Sequence, residues 1–449
     1  MAAHLTALFA LLLLGARPAL AQSVLRDAET EALLNEMAAP LVEAAGLEPG
    51  NVEIVLINDP SINAFVAGGQ IIYIHSGLLE AADTANEVQG VIAHELGHIT
   101  GGHINRFSEG MGDATNITIL SMLLGVAAAA AGAGEAAPGI MMAGQRAALG
   151  KFLAFTRVQE ASADAAGAEY LSKAGISGRG SLSFFRKLQG EISRRGYRRN
   201  DETEFLQTHP LSSDRIQRLR EDYVRDPAWD APDDPDLQSR FERVKAKLGG
   251  YLYEPERTFN IYPDTDQSVE ARYARAYAYH KSAMVDRSLA ETAALLEQAP
   301  DDPYFLELQG QVLLESGRPD EALNSLRRAT ELTANEPLIG SMFGHALIAT
   351  EDPQHHDEAI RVLRASVARD RRNPFAWYQL GMVYAASGDQ PRAMLASAEQ
   401  QVLRREYAAA IRNARAAESQ LPTGSPDWIR AQDIGLEARA ALERQKERR

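Results

Sequence analysis

Apolar residues recur every three or four positions from Val24 to Ala45, which predicts an amphipathic helix stopped by Gly46. The period then changes. VEIVLI (52–57), NAFVA (63–67) and QIIYIH (70–75) are short β-rich runs, and Gly68-Gly69 between the last two predicts a hairpin turn. Helical spacing returns in GLLEAADTANEVQGVIAHELGHIT (77–100), so a small sheet directly precedes that helix. From Ile117 to Gly134 the chain carries no charge, and half of the run is Ala or Gly. Its length suits a membrane span, but its apolarity is marginal. The expectation is a helical pair with APGIMMAGQRAALG (137–150) that covers a cleft; peripheral membrane contact through 117–134 is the competing expectation.

Helical sequence runs from Lys151 to about Val224, followed by Pro- and Asp-rich RDPAWDAPDDPDLQS, the short basic helix RFERVKAKLGG and irregular YEPERTFNIYPDTDQS. Residues 226–266 therefore read as a linker with a connecting helix. Beyond them the chain repeats. Trp377, Leu380, Gly381 and Tyr384 match the tetratricopeptide pattern W-x2-L-G-x2-Y, with Ala393 at its later alanine. Pro303 to Ala329 matches in register through Gly310, Leu313, Ala322 and Ala329, and Pro303 to Pro337 is 34 residues, the repeat period. The unit from Pro337 carries about three extra residues in its turn. Residues 407–422 read as the second helix of a final repeat, and 269–302 as a degenerate first one. The predicted fold is α+β: a mostly helical N-terminal domain with a small sheet (22–225), then an all-α solenoid (267–449) with a concave groove.

Charge and composition narrow the function. With 61 acidic and 46 basic residues the net charge is −15, against a general nucleic-acid binder. There is no cysteine, which excludes disulfides, thiolate metal sites and a thiol nucleophile; any metal must take imidazole and carboxylate. The apolar run Ala7–Leu14 and the Ala19-Leu20-Ala21 end before Gln22 predict an export signal over residues 1–21.

The chemistry centres on HELGH. On a helix, His94 and His98 lie one turn apart on one face, so both rings reach one ion, while Glu95 points aside as a base for an attacking water. His103 lies nine residues from His94, on the opposite face of an unbroken helix. The metzincin pattern would need histidine at position 104, which is Ile104. His103 therefore reads as a polar histidine at the helix end. A carboxylate on a second helix is the alternative third ligand. EASAD supplies Glu160 and, four residues on, Asp164, placed to orient a ligand imidazole; a solvated acidic face has the same spacing.

HELGH, EASAD, Thr208-His209-Pro210 and NAFVAGGQIIYIHSGLL together resemble the M48 metallopeptidases, gluzincins with the order H-E-x-x-H … E-x-x-A-D. The resemblance implies one zinc per chain held by His94, His98 and Glu160, with Glu95 as catalytic base and Asp164 and His209 beside them. His209 would stabilise the oxyanion or fill the fourth metal position and hold the enzyme latent. With an export signal before and repeats after, the resemblance implies a periplasmic endopeptidase. Its substrates would be unfolded or misassembled proteins, and its repeats would hold clients or the outer-membrane β-barrel assembly machinery. The alternative is a chaperone or assembly scaffold with latent proteolysis. A weaker one is a membrane-embedded protease spanning through 117–134.

Overall fold

The computed structural model describes residues 23–48, 50–130, 137–195, 209–210 and 212–447. The predicted export signal lies outside them. The chain divides into two compact units, 1–26 with 31–241, and 27–30 with 242–449.

The first unit is built on a four-stranded sheet of order β1-β2-β4-β3. β1 (Ser23–Leu25) pairs antiparallel with β2 (Glu53–Asn58), which runs parallel to β4 (Ile71–His75). β3 (Ala64–Ala67) closes the predicted hairpin onto β4, with Phe65 opposite Tyr73, and forms the sheet edge. The helix expected from Val24 begins later. Asp27 accepts from the Thr30 amide at 2.8 Å and caps α1 (Ala28–Ala44), while Ser23–Leu25 is taken up as a strand by β2. The single helix expected over 77–100 is two. α2 (Ser76–Ala81) ends before Thr84, whose hydroxyl caps α3 (Ala85–Thr100) by accepting from the Glu87 amide, while the Glu87 carboxylate accepts from the Asp83 amide. Leu34, Met37, Leu41, Leu56, Ile72, Val91, Ile92 and Leu96 are buried as its core.

α4 (His103–Ala130) and α5 (Ala137–Lys173) form the expected helical pair and pack along each other. Its described outer residues, among them Leu120, Leu123, Leu124 and Met142, are exposed. No helix among the described residues is long and apolar enough to cross a membrane, and residues 131–134 of the spanning alternative lie outside them. α6 (Arg179–Arg195) and α7 (Ser213–Arg225) complete the helical layer.

The stretch 226–266 is largely helical: a 3-10 turn (Pro227–Asp230), α8 (Pro235–Leu252) and α9 (Pro255–Ile261), the last where irregular chain was expected. The division between units falls inside α8. The second unit continues as antiparallel helices: α10 (Val269–Lys281), α11 (Val285–Gln298), α12 (Pro303–Glu315), α13 (Pro319–Leu332), α14 (Pro337–Ala349), α15 (His356–Arg369), α16 (Pro374–Ala386), α17 (Gln390–Leu403), α18 (Tyr407–Glu418) and α19 (Pro426–Glu447). The hairpins that begin at Pro303, Pro337 and Pro374 open the same way. Asp302, Glu336 and Asn373 cap α12, α14 and α16 with their side chains, and proline follows at the first helical position, where its missing N–H costs nothing. The three extra residues of the middle repeat form the turn Pro353–His355. Leu326, Phe343, Leu363, Leu380 and Val383 interlock consecutive hairpins, as a tetratricopeptide solenoid requires.

Candidate metal centre

His94, Glu95 and His98 lie on α3, a helix buried along nearly its whole length. Small residues bring the second helix to it. A Cβ on Gly97 would lie 2.5 Å from the carbonyl oxygen of Ala163 on α5, and Ala163 is fully buried. The glycine of HELGH and the last alanine of EASAD therefore allow the close crossing that carries Glu160 and Asp164 to the histidines. α3 ends at Gly101-Gly102, and His103 opens α4, so the predicted helix end stands where the glycines are.

The donors converge. His94 Nε2 is 3.1 Å from His98 Nε2 and 3.2 Å from His209 Nδ1. The Glu160 carboxylate is 3.5 Å from His94 Nε2, 3.4 Å from His98 Nε2 and 3.2 Å from His209 Nδ1. All four residues are buried. A tetrahedron of ligands with metal–ligand bonds of about 2.0–2.1 Å has edges of about 3.3–3.4 Å, close to these separations. Hydrogen bonding alone does not satisfy the set: one ring nitrogen carries at most one proton, and His94 Nε2 faces three neighbours. A single central cation satisfies all of them, so the residues fit a metal ion.

A second layer of contacts holds the donors. The Asp164 carboxylate lies 3.0 Å from His94 Nδ1, the nitrogen turned away from the cluster. Arg215, on α7, clamps Asp164 with two bonds of 2.7 and 2.8 Å, reaches Glu160 at 2.9 Å, and donates to the Pro210 carbonyl at 2.8 Å. His103 is not among the clustered donors. Its Nδ1 sits 2.9 Å from His98 Nδ1 and so orients that ring from behind. Burial, with the charges of the other cluster histidines, lowers the His103 pKa to about 4, so His103 is neutral and accepts the proton of His98 Nδ1.

The electrostatics ask for positive charge. Burial opposes ionisation of His94, yet Asp164 and Glu160 outweigh it and raise its pKa to about 10. Burial likewise opposes the charged form of Glu160, but His209, His94 and His98 hold it well below the usual carboxylate range. The pocket stabilises a cation at its centre, and a metal ion meets that demand without a proton on the donors.

Glu95 is fully buried, and neither carboxylate oxygen accepts a hydrogen bond among the described residues. Oε1 lies 3.6 Å from His209 Nε2. A buried carboxylate left this way is costly unless chemistry uses it. Beside the cluster opens a cleft of about 280 Å³, lined by Glu95, His98, Glu160, Phe65 and Val66 of edge strand β3, and Phe155 of α5. Ile104 and Phe155, at the base of the α4–α5 pair, line it, whereas no described residue of 117–130 or 137–150, the stretches expected to cover it, does so.

The structure thus brings together His94, Glu95, His98, Glu160, Asp164 and His209. Sequence reasoning missed Arg215. Its signal was a cation in the same stripe as Leu219 and Tyr223, the buried face of α7.

A buried cluster of three histidines and one carboxylate with a second buried glutamate beside it, set by a sheet edge, is the arrangement of a metalloprotease. Residues 25–222 match the model of Peptidase family M48. The chain is 27% identical over 406 residues to the beta-barrel assembly-enhancing protease of Escherichia coli strain K12, spanning 87% of this chain and 79% of that protein. It is 32% identical over 177 residues to the metalloprotease LoiP of the same organism, 39% of this chain and 63% of that one. Among solved structures, YrrB, described as a TPR protein with an unusual peptide-binding site, aligns over 39% of this chain and 91% of its own with a TM-score of 0.32 and 23% identity. The repeat assignment rests on the capped helix pairs themselves.

Proposed function

We propose that the chain is an exported zinc endopeptidase of the periplasm that cuts unfolded or misassembled proteins, including those bound for the outer membrane. Its repeats hold clients or the β-barrel assembly machinery. The observation that carries the reading is the donor cluster of His94, His98, Glu160 and His209 with Glu95 beside it. Nitrogen and oxygen donors without thiolate, at tetrahedral spacing, suit zinc. The name of the Escherichia coli relative supports the outer-membrane setting.

In this reading an extended substrate adds to the free edge of β3, and main-chain bonds set its register across the cleft. Bound zinc supplies Lewis-acid polarisation of the scissile carbonyl and activation of water. Glu95 takes the proton of the attacking water and returns it to the leaving amine. Asp164 and His103 hold the imidazoles of His94 and His98, and Arg215 holds Asp164 and Glu160. Glu95→Gln is expected to retain one zinc per chain and lose about 10²–10⁴-fold in cleavage of an unfolded protein. Cleavage at the wild-type rate by a zinc-loaded Glu95→Gln chain sinks the mechanism.

One observation favours the second reading, a scaffold with latent proteolysis. His209 stands among the donors, where an attacking water would have to sit. In the latent reading His209→Ala raises basal cleavage several-fold while zinc stays bound; in the oxyanion reading it lowers cleavage. Full rescue of an outer-membrane assembly defect by Glu95→Gln would favour the scaffold.

A further inference from the structure

The repeat unit holds a second cavity, of about 190 Å³, among α15, α16, α17 and α19. Its volume is room for about one large side chain rather than a folded segment. The lining has two characters. Val367, Leu380, Leu395 and Ala396 are buried apolar residues, and Trp377 and Tyr384 add aromatic faces. The Trp377 indole is pinned, donating to the Arg371 carbonyl at 2.9 Å. Against this stand four arginines, Arg364, Arg371, Arg392 and Arg430, and only two acids, Glu399 and Asp427.

The two acids are already engaged. Arg430 is bound by Glu399, and Arg392 is bound by Asp427 at 2.7 Å and by Asp389. Arg364 and Arg371 have no acidic partner among the described residues. A local excess of cation on an apolar floor stands out in a chain of net charge −15. A guanidinium matches a carboxylate in a planar fork, and the floor adjoining it rewards an apolar group. A phosphate would use the arginines and leave the floor bare. One moiety uses both: the last residue of a polypeptide, which carries a free carboxylate and an apolar side chain on the same Cα.

We propose that this cavity binds the free carboxyl terminus of a protein whose last residue is apolar, with Arg364 and Arg371 taking the carboxylate and the Trp377–Tyr384 floor taking the side chain. The site recognises a chain end and is independent of proteolysis in the N-terminal unit.

The test is fluorescence anisotropy on the full-length Glu95→Gln chain, so that the probe is not cut. The probe is an eight-residue peptide labelled at its N-terminus and ending in Leu. The free acid is expected to bind at least tenfold more tightly than the same peptide amidated, and than one ending in Ser. Arg364→Gln/Arg371→Gln is expected to abolish the preference for the free acid. Both side chains are exposed, so the double variant keeps its fold, checked by an unchanged melting temperature. Equal binding of acid and amide overturns the proposal, as does undiminished preference in the double variant. Competition by millimolar inorganic phosphate as strong as that of unlabelled peptide also overturns it, by reducing the site to an anion site without use of the floor.

Discussion

At the scale of the residue, the centre depends on side chains that do not themselves face the metal position. Arg215 reaches two carboxylates and the backbone beside His209, so its planar fork fixes Glu160, Asp164 and Pro210 together. Lysine keeps the charge and loses the fork. Arg215→Lys is expected to weaken zinc binding about 10–100-fold, read by competition with a chromogenic chelator; affinity within twofold of wild type would remove Arg215 from the centre. In the repeat unit a different buried group responds to pH. Burial, with Asp27 nearby, raises the Glu307 pKa from the ordinary 4.5 to about 8, against the pull of Lys247. The folded state then holds a proton that the unfolded chain releases above about pH 4.5. Stability is full below that pH and declines as pH rises to about 8, by on the order of 4–5 kcal/mol. Glu307→Gln cannot ionise, so its urea midpoint is expected to vary less between pH 5 and 8 and to exceed wild type at pH 8. Parallel pH profiles for the two chains would show that Glu307 does not titrate in that window.

At the scale of the element, the crossing of α3 and α5 is what makes a site of two motifs 62 residues apart. Its tolerance is set by Gly97 against the Ala163 backbone, which cannot rotate away as a side chain can. Gly97→Val is expected to force the helices apart, to cost about 1–3 kcal/mol or more in urea unfolding, and to lose metal with it. Full zinc stoichiometry with unchanged stability would mean that the crossing has slack. Much of this was legible in the chain. HELGH and EASAD each obey a local helical period, so their faces could be read, and the repeats announce themselves by a 34-residue spacing and capped prolines. What was not legible was decided by partners distant in sequence. Val24 reads as part of a helix and becomes strand because β2 lies beside it. His209 was placed near the metal only by the resemblance of Thr208-His209-Pro210, and Arg215 carries no period linking it to His94; the packing of α7 brings Arg215 there. Arg364 and Arg371 look like any solvated arginines until four helices leave a cavity between them.

At the scale of the whole molecule, the chain places its metal donors in one unit and its carboxylate-reading cavity in the other, each with its own buried core. Without cysteine, no disulfide staples either unit. Metal binding therefore acts on the first unit through mass action alone: zinc at a thousandfold over its dissociation constant adds about 4 kcal/mol to the state that binds it. The residues that share this gain are those whose alignment the ion enforces, on α3, α5 and the segment entering α7. Without an ion, His94, His98 and His209 face one another around a carboxylate, and His94 Nε2 has more neighbours than one proton can serve. Chelation of the intact chain is expected to raise amide hydrogen exchange in α3, α5 and α7 by at least tenfold and to leave α12 to α17 unchanged, with protection returning when zinc is restored. Equal deprotection of the repeats would show that the ion stabilises the molecule as a single cooperative body. No change in α3 and α5 would show that the helix crossing at Gly97, and not the metal, holds the centre together.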